Sequence, residues 1–112
     1  MDIIFSSTRL QKDCNDAKRA RRRFGPLQAK LIRRRLDELR AAQNLSVIGT
    51  IPQARCHELT ADRAGQLSVD LRHPYRLLFR PANRPVPRKP DGGLDWAGVT
   101  VVEILDVEDT HG

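Results

Sequence analysis

The chain has 112 residues, 39% of them hydrophobic and 30% charged, with a formal net charge of +6 and a sequence pI near 10.1. One core fits that length, so residues 1–112 are expected to form one domain, and the composition excludes a disordered chain. The basic balance calls for a polyanionic partner. A membrane is disfavoured, because no apolar run approaches the ~20 residues that a spanning helix needs.

The first residues, Met1-Asp2-Ile3-Ile4-Phe5, lack the pattern of a signal peptide, and residues 2–5 are predicted to form an opening strand. Ser6, Ser7 and Thr8 are candidate helix caps. Leu10, Cys14, Ala17 and Phe24 then recur at helical spacing, predicting one helix over about 8–22. Gly25-Pro26 breaks it and starts a second, whose apolar stripe is Ala29, Ile32, Leu36 and Leu39 and whose end falls near Asn44. Two helices with so short a connection form a hairpin.

From residue 54 the period becomes two. Strands are expected at 55–59, 66–72 and 75–80, with Leu67, Val69 and Leu71 on one face, and Tyr75, Leu77 and Phe79 alternating against Arg76, Leu78 and Arg80. Residues 99–107 are almost continuously apolar, as in a central strand covered on both faces. Residues 81–98 are rich in Pro, Gly and basic side chains and are too long for a tight turn, so a mobile or functional loop is expected. Together these elements predict an α+β fold: an N-terminal strand and a two-helix hairpin packed on a small, mostly antiparallel twisted sheet.

Cys14 and Cys56 form neither a metal-binding CxxC pattern nor a disulfide framework, and read as buried or half-buried apolar residues of a cytoplasmic protein. Lys18–Arg23 and Arg33–Arg35 concentrate positive charge on the helices. Arg22 and Arg23 are candidate RNA contacts, against the alternative of a solvated face. Such contacts would position a phosphate backbone without reading sequence.

The segment Arg55-Cys56-His57-Glu58-Leu59-Thr60-Ala61-Asp62-Arg63-Ala64-Gly65-Gln66-Leu67, the strand Tyr75-Arg76-Leu77-Leu78-Phe79-Arg80 and the tail Val107-Glu108-Asp109-Thr110-His111 occur in that order. This arrangement resembles the RelE/ParE superfamily of bacterial toxin–antitoxin systems, and within it the HigB-like toxins. The resemblance extends over nearly the whole chain. It implies a RelE-like fold and metal-independent cleavage of mRNA, usually on the ribosome, leaving a 2′,3′-cyclic phosphate. It also implies neutralisation by a cognate antitoxin, with operator DNA bound only through that antitoxin.

Such a reaction needs a base for the 2′-hydroxyl, cations for the phosphorane and an acid for the departing 5′-oxygen. The resemblance points to His57, Arg63, Arg76 and His111 as catalytic candidates. Histidine titrates near neutrality, and arginine offers phosphate a planar fork. Arg72, Arg80 and Asp109 join Arg22 and Arg23 as candidate RNA-binding residues. Each has a plainer alternative: a surface strand histidine, an exposed turn arginine, sheet-surface charges or a frayed tail. Thr110 stands where many HigB-like toxins carry an aromatic able to stack on a base.

No metal or other cofactor is expected. Glu58, Glu103, Asp106 and Glu108 lack an ordered ligand spacing, and neither a glycine-rich phosphate loop nor a nucleophile elbow is present. Two other functions remain open on the same fold: a ParE-like gyrase inhibitor and a non-catalytic basic module that binds RNA or protein.

Overall fold

The computed structural model describes residues 1–109. Strand β1 (Asp2–Phe5) leads into α1 (Thr8–Asn15), which begins where Ser7 Oγ accepts from Leu10 N at 3.1 Å. The single helix expected over 8–22 is two helices. At Asp16 the backbone turns extended, its N–H closes α1 on Lys12 O, and its carboxylate caps α2 (Ala17–Phe24) by accepting from Lys18 N and Arg19 N. A capping aspartate that satisfies two orphan amides there outweighs continuation of the helix.

Gly25, at φ +83°, joins α2 to α3 (Pro26–Ala41) in a conformation that disfavours any side chain. Helix α3 ends three residues before Asn44, which instead caps a one-turn α4 (Leu45–Ile48) through Ser46 N. The expected stripe Ala29, Ile32, Leu36 and Leu39 is buried, and Arg35 is buried beside it at 5% exposure.

A 3₁₀ turn, Pro52–Ala54, precedes the sheet strands β2 (His57–Glu58), β3 (Leu67–Asp70), β4 (Tyr75–Pro81) and β5 (Val101–Asp109). The strands predicted at 55–59 and 66–72 are trimmed at both ends, and the last one is shifted two residues towards the C-terminus. The sheet order is β1-β5-β4-β3-β2, with β1 parallel to β5 and every other pairing antiparallel. The result is a compact α+β fold with a mixed, mostly antiparallel sheet.

Helices cover one sheet face only. Leu10, Cys14, Ile32, Leu36, Leu39, Leu45 and Ile48 pack there against Leu67, Val69, Leu77, Phe79, Val102 and Ile104. Each fully buried aliphatic side chain contributes about 1.5–3 kcal/mol of transfer free energy. No helix covers the other face, which carries most of the polar side chains of the strands, although Ser68 and Leu78 at its centre are buried. The 81–98 segment, expected to be a loop, is pinned by a bridge between Arg88 and Leu94 and ends in a 3₁₀ turn, Trp96–Gly98.

A candidate nucleic-acid interface on the open sheet face

Cross-strand partners share a face, so the register assigns the open face residue by residue. One row is His57, Ser68, Leu78 and Asp106 on β2, β3, β4 and β5. The next is Asp70, Arg76 and Glu108, and a third, on the other side of the first, holds Arg80, Glu103 and Ile4. A bulge decides which residues of β5 take part. Leu78 pairs with Asp106 but Phe79 pairs with Ile104, leaving Leu105 extra on β5. Ile104 therefore faces the core while Asp106 and Glu108 face outward, which strict alternation would forbid.

The 60–66 connection folds over this face. Arg63 follows the β2 edge, yet its Nη2 donates to Glu108 Oε1 on β5 at 2.8 Å, so the connection and the side chain together reach over the sheet. The hydrogen bond to Glu108 raises the Arg63 pKa above the usual arginine value. Ser68 and Leu78 lie in the row beneath and are 0% and 1% exposed, although Leu78 lies outside the helix-side core. Arg55 and Ala61 flank β2 in the left-handed region at φ +44° and +56°, strain of the kind concentrated at functional sites.

Every cation identified on this face has an acidic neighbour. Arg76 Nε lies 3.3 Å from Asp70 Oδ1, and Arg55 Nε lies 3.6 Å from Asp70 Oδ2. Arg80 Nε donates to Glu103 at 2.6 Å. From the border of the sheet, Arg23 comes within 4.0 Å of Asp106 while its other nitrogen grips Asp13 at 2.7 Å and its guanidinium lies over the Phe24 ring. The face is thus a lattice of held guanidiniums. An incoming phosphate competes with carboxylates for them, at little cost for the Arg63–Glu108 pair, whereas Arg76 and Asp70 are 14% and 23% exposed and part less readily.

His57 sits at the β2 edge. Its Nδ1 lies 2.8 Å from Arg55 O, and since a carbonyl only accepts, Nδ1 carries the proton. The Nε2 lone pair is then the basic site of the neutral ring. Strands β2 and β4 are two spacings apart, about 9.6 Å, so His57 and Arg76 reach a shared ligand only through their side chains.

The structure brings His57, Arg63 and Arg76 to one face and places Arg80 at its far end. Arg72 lies elsewhere. In the β3–β4 turn, its backbone exchanges hydrogen bonds with the Gln28 side chain, and it borders the helical surface around Leu27, Lys30 and Arg34. Alternation puts Asp109 on the side of β5 opposite Glu108, and Arg22 is exposed on α2. His111 lies outside the described residues.

Sequence reasoning overlooked Asp70 and Arg55 as members of the site and weighed Glu108 and Asp106 only as metal ligands. It also overlooked Asp13, 6% exposed, which gathers Arg9, Arg19 and Arg23. The basic helix runs are accordingly divided between structure and surface. Arg23 and Arg19 hold Asp13, Arg35 is buried, and Arg21, Lys30, Arg33 and Arg34 border shallow hollows in the helical surface.

Among the described residues, no group of three or more His, Cys, Asp or Glu side chains is placed to hold a metal ion. Of the four carboxylates weighed from the sequence, Glu58 accepts from the Trp96 indole at 3.0 Å and the other three face arginines. No described helix is long and apolar enough to cross a membrane. Both cysteines are free thiols; burial pushes Cys14 up to about 11 and Cys56 up to about 12, so neither is a ready nucleophile. No protein-family model matches the sequence, and no relative is found among curated proteins.

Proposed function

We propose that this chain is a RelE-like, HigB-type toxin: a cytoplasmic, metal-independent endoribonuclease that cleaves mRNA on the ribosome. A cognate antitoxin is its neutralising partner, and operator DNA is reached only through that antitoxin. The observation that carries the reading is the register that gathers His57, Arg76 and, by its bond to Glu108, Arg63 on the sheet face that no helix covers.

In this reading His57 Nε2 takes the proton of a ribose 2′-hydroxyl as the 2′-oxygen attacks the adjoining phosphorus. Arg63 and Arg76 exchange their carboxylates for the phosphorane oxygens, with charge-assisted bonds that strengthen as negative charge develops. The P–O5′ bond breaks, and the 5′-oxygen takes a proton from the tail residue His111. The products are a 2′,3′-cyclic phosphate and a 5′-hydroxyl, and no metal enters the balance. The basic α2 at the β5 border, with Arg22 exposed beside Arg23, supplies sequence-independent attraction for the strand. A second reading, a non-catalytic binding module, draws on the same ion pairs, because each guanidinium already has an anion.

The test is induction of the wild-type chain and of His57→Ala, Arg63→Ala, Arg76→Ala and His111→Ala in bacteria without the antitoxin. Growth and mRNA 5′ ends are followed together. The proposal expects arrest with cuts inside translated codons, weakened at least tenfold in each folded variant. Arrest with intact mRNA overturns it in favour of gyrase inhibition or binding alone.

A further inference from the structure

The open face continues past the Arg63–Glu108 tie into a groove of about 740 Å³, which no step of the proposed reaction uses. Its floor is the third row of the sheet, Ile4, Glu103 and Arg80. Ala64 and Gly65, next to Arg63, form one wall, and the 82–94 arm forms the other.

That arm is built as a rigid part. Asn83 Oδ1 accepts from Thr100 N and Val101 N, while its Nδ2 donates to Thr100 Oγ1 at 2.9 Å. Lys89 N donates to Gly93 O at 2.8 Å and Asp95 N to Pro87 O at 3.1 Å, closing the arm on itself. A Cβ at Gly98 would stand 2.7 Å from Pro87, so glycine is required for the close return. Trp96, bonded to Glu58, ties the arm's end to β2.

The arm presents Arg84 and Arg88 at the groove, both exposed and, among the described residues, without a carboxylate within ion-pair distance. Of the two acids of the groove, Glu103 is paired with Arg80, while Glu58 accepts from the neutral Trp96 indole and keeps its charge. Three arginines against two carboxylates leave the groove with a net positive charge. Apolar surface is also present, from Ile4 on the floor at 48% exposure and Val86 on the arm. Unpaired cations beside such surface, in a cleft of small-ligand size, suit one or two unpaired nucleotides.

We infer that this groove is a flanking-nucleotide subsite: it holds single-stranded RNA beside the reacting phosphate, with Arg84 and Arg88 on the backbone. The inference rests on the RNA reading of the sheet face, and it makes the 82–94 arm a determinant of which sequences are bound productively.

The experiment measures binding of a fluorescent 12-nucleotide 2′-O-methyl RNA, which lacks the attacking hydroxyl, from 0.1 to 1 M salt. Cleavage of the unmodified RNA is scored separately. Each single-strand phosphate contact adds about 0.7 to the salt slope. Arg84→Gln/Arg88→Gln is therefore expected to lower the slope by about 1.4, a deficit growing to about 25-fold in affinity at 0.1 M. Both residues are exposed, and an unchanged urea midpoint will verify the fold. An unchanged slope, or a loss seen equally with duplex RNA or with polyglutamate, overturns the groove inference. Tight, arm-dependent binding without any cleavage upholds the groove and counts against the nuclease reading alone.

Discussion

Replacing Arg35 with alanine is expected to destabilise the protein by about 3–4 kcal/mol. The residue is 5% exposed, and its guanidinium makes three bonds: Nε to Asp70 O at 2.7 Å, Nη2 to Gln53 O at 3.0 Å and Nη1 to Glu38 Oε1 at 2.9 Å. It thereby fastens α3 to the end of β3 and to the turn before β2. Bonds to charged groups are worth about 1.5–3 kcal/mol each and do not add in full, and each stranded carbonyl costs about 1–3 kcal/mol. Breaking a buried charged contact falls in the same range. Against a total stability of roughly 5–15 kcal/mol, the loss is large. Urea unfolding followed by circular dichroism measures it, and with a slope of about 2 kcal/mol/M the midpoint drops by about 1.5–2 M. Glu38→Gln keeps both carbonyl bonds and is expected to cost less than about 1 kcal/mol. A loss below about 1 kcal/mol in Arg35→Ala, or equal losses in the two variants, refutes the claim that the carbonyl bonds are what matter.

Glu108→Gln removes the anion competing for Arg63, and single-stranded RNA affinity is expected to rise about three- to tenfold in fluorescence titrations; a fall would make Glu108 part of the binding machinery. The Arg23 hydrogen bond holds the Asp13 carboxyl below its usual value of 3.8, with Arg19 assisting. The stabilisation is therefore complete above the unfolded pKa and lost as pH falls through the folded one. Asp13→Asn should accordingly flatten the acid limb of stability against pH below about 4, read from urea midpoints. Neither Cys14 nor Cys56 is expected to react with a disulfide reagent at pH 8 in minutes, whereas both should react in urea; rapid labelling of the folded protein contradicts the burial argument.

What could be read from the sequence followed from how local the signals were. The period-two alternation of Leu67, Val69, Leu77 and Phe79 was legible because these four pack against the helices, while Ser68, Asp70, Arg76 and Arg80 on the opposite face are polar. The α3 stripe was legible for the same reason. The break at Asp16 was not, because apolar residues continue at helical spacing through it; the signal was a capping residue ahead of Ala17-Lys18-Arg19. In β5 the acids are spaced by three between Glu103 and Asp106 and by two between Asp106 and Glu108, a mismatch that marks the bulge. His57 and Arg76 could be assigned to strands, but the Arg63–Glu108 bond joins residues 45 apart and follows only from the fold. The same holds for Arg35, which sits among solvated arginines in sequence and in the interior in space.

The parallel pairing of the first strand with the last also governs how the molecule can be made. Strand β5 lies between β1 and β4, and Asp2 pairs with Val101, so two of the four strand interfaces await residues 101–109. A nascent chain still holding residues 101–109 in the exit tunnel can form β2, β3, β4 and the helices, but not Asp106, Glu108 or the third sheet row in place. Contacts of such high sequence separation also slow folding. The open face, and any chemistry it performs, is therefore completed only once residues 101–109 are free to pair.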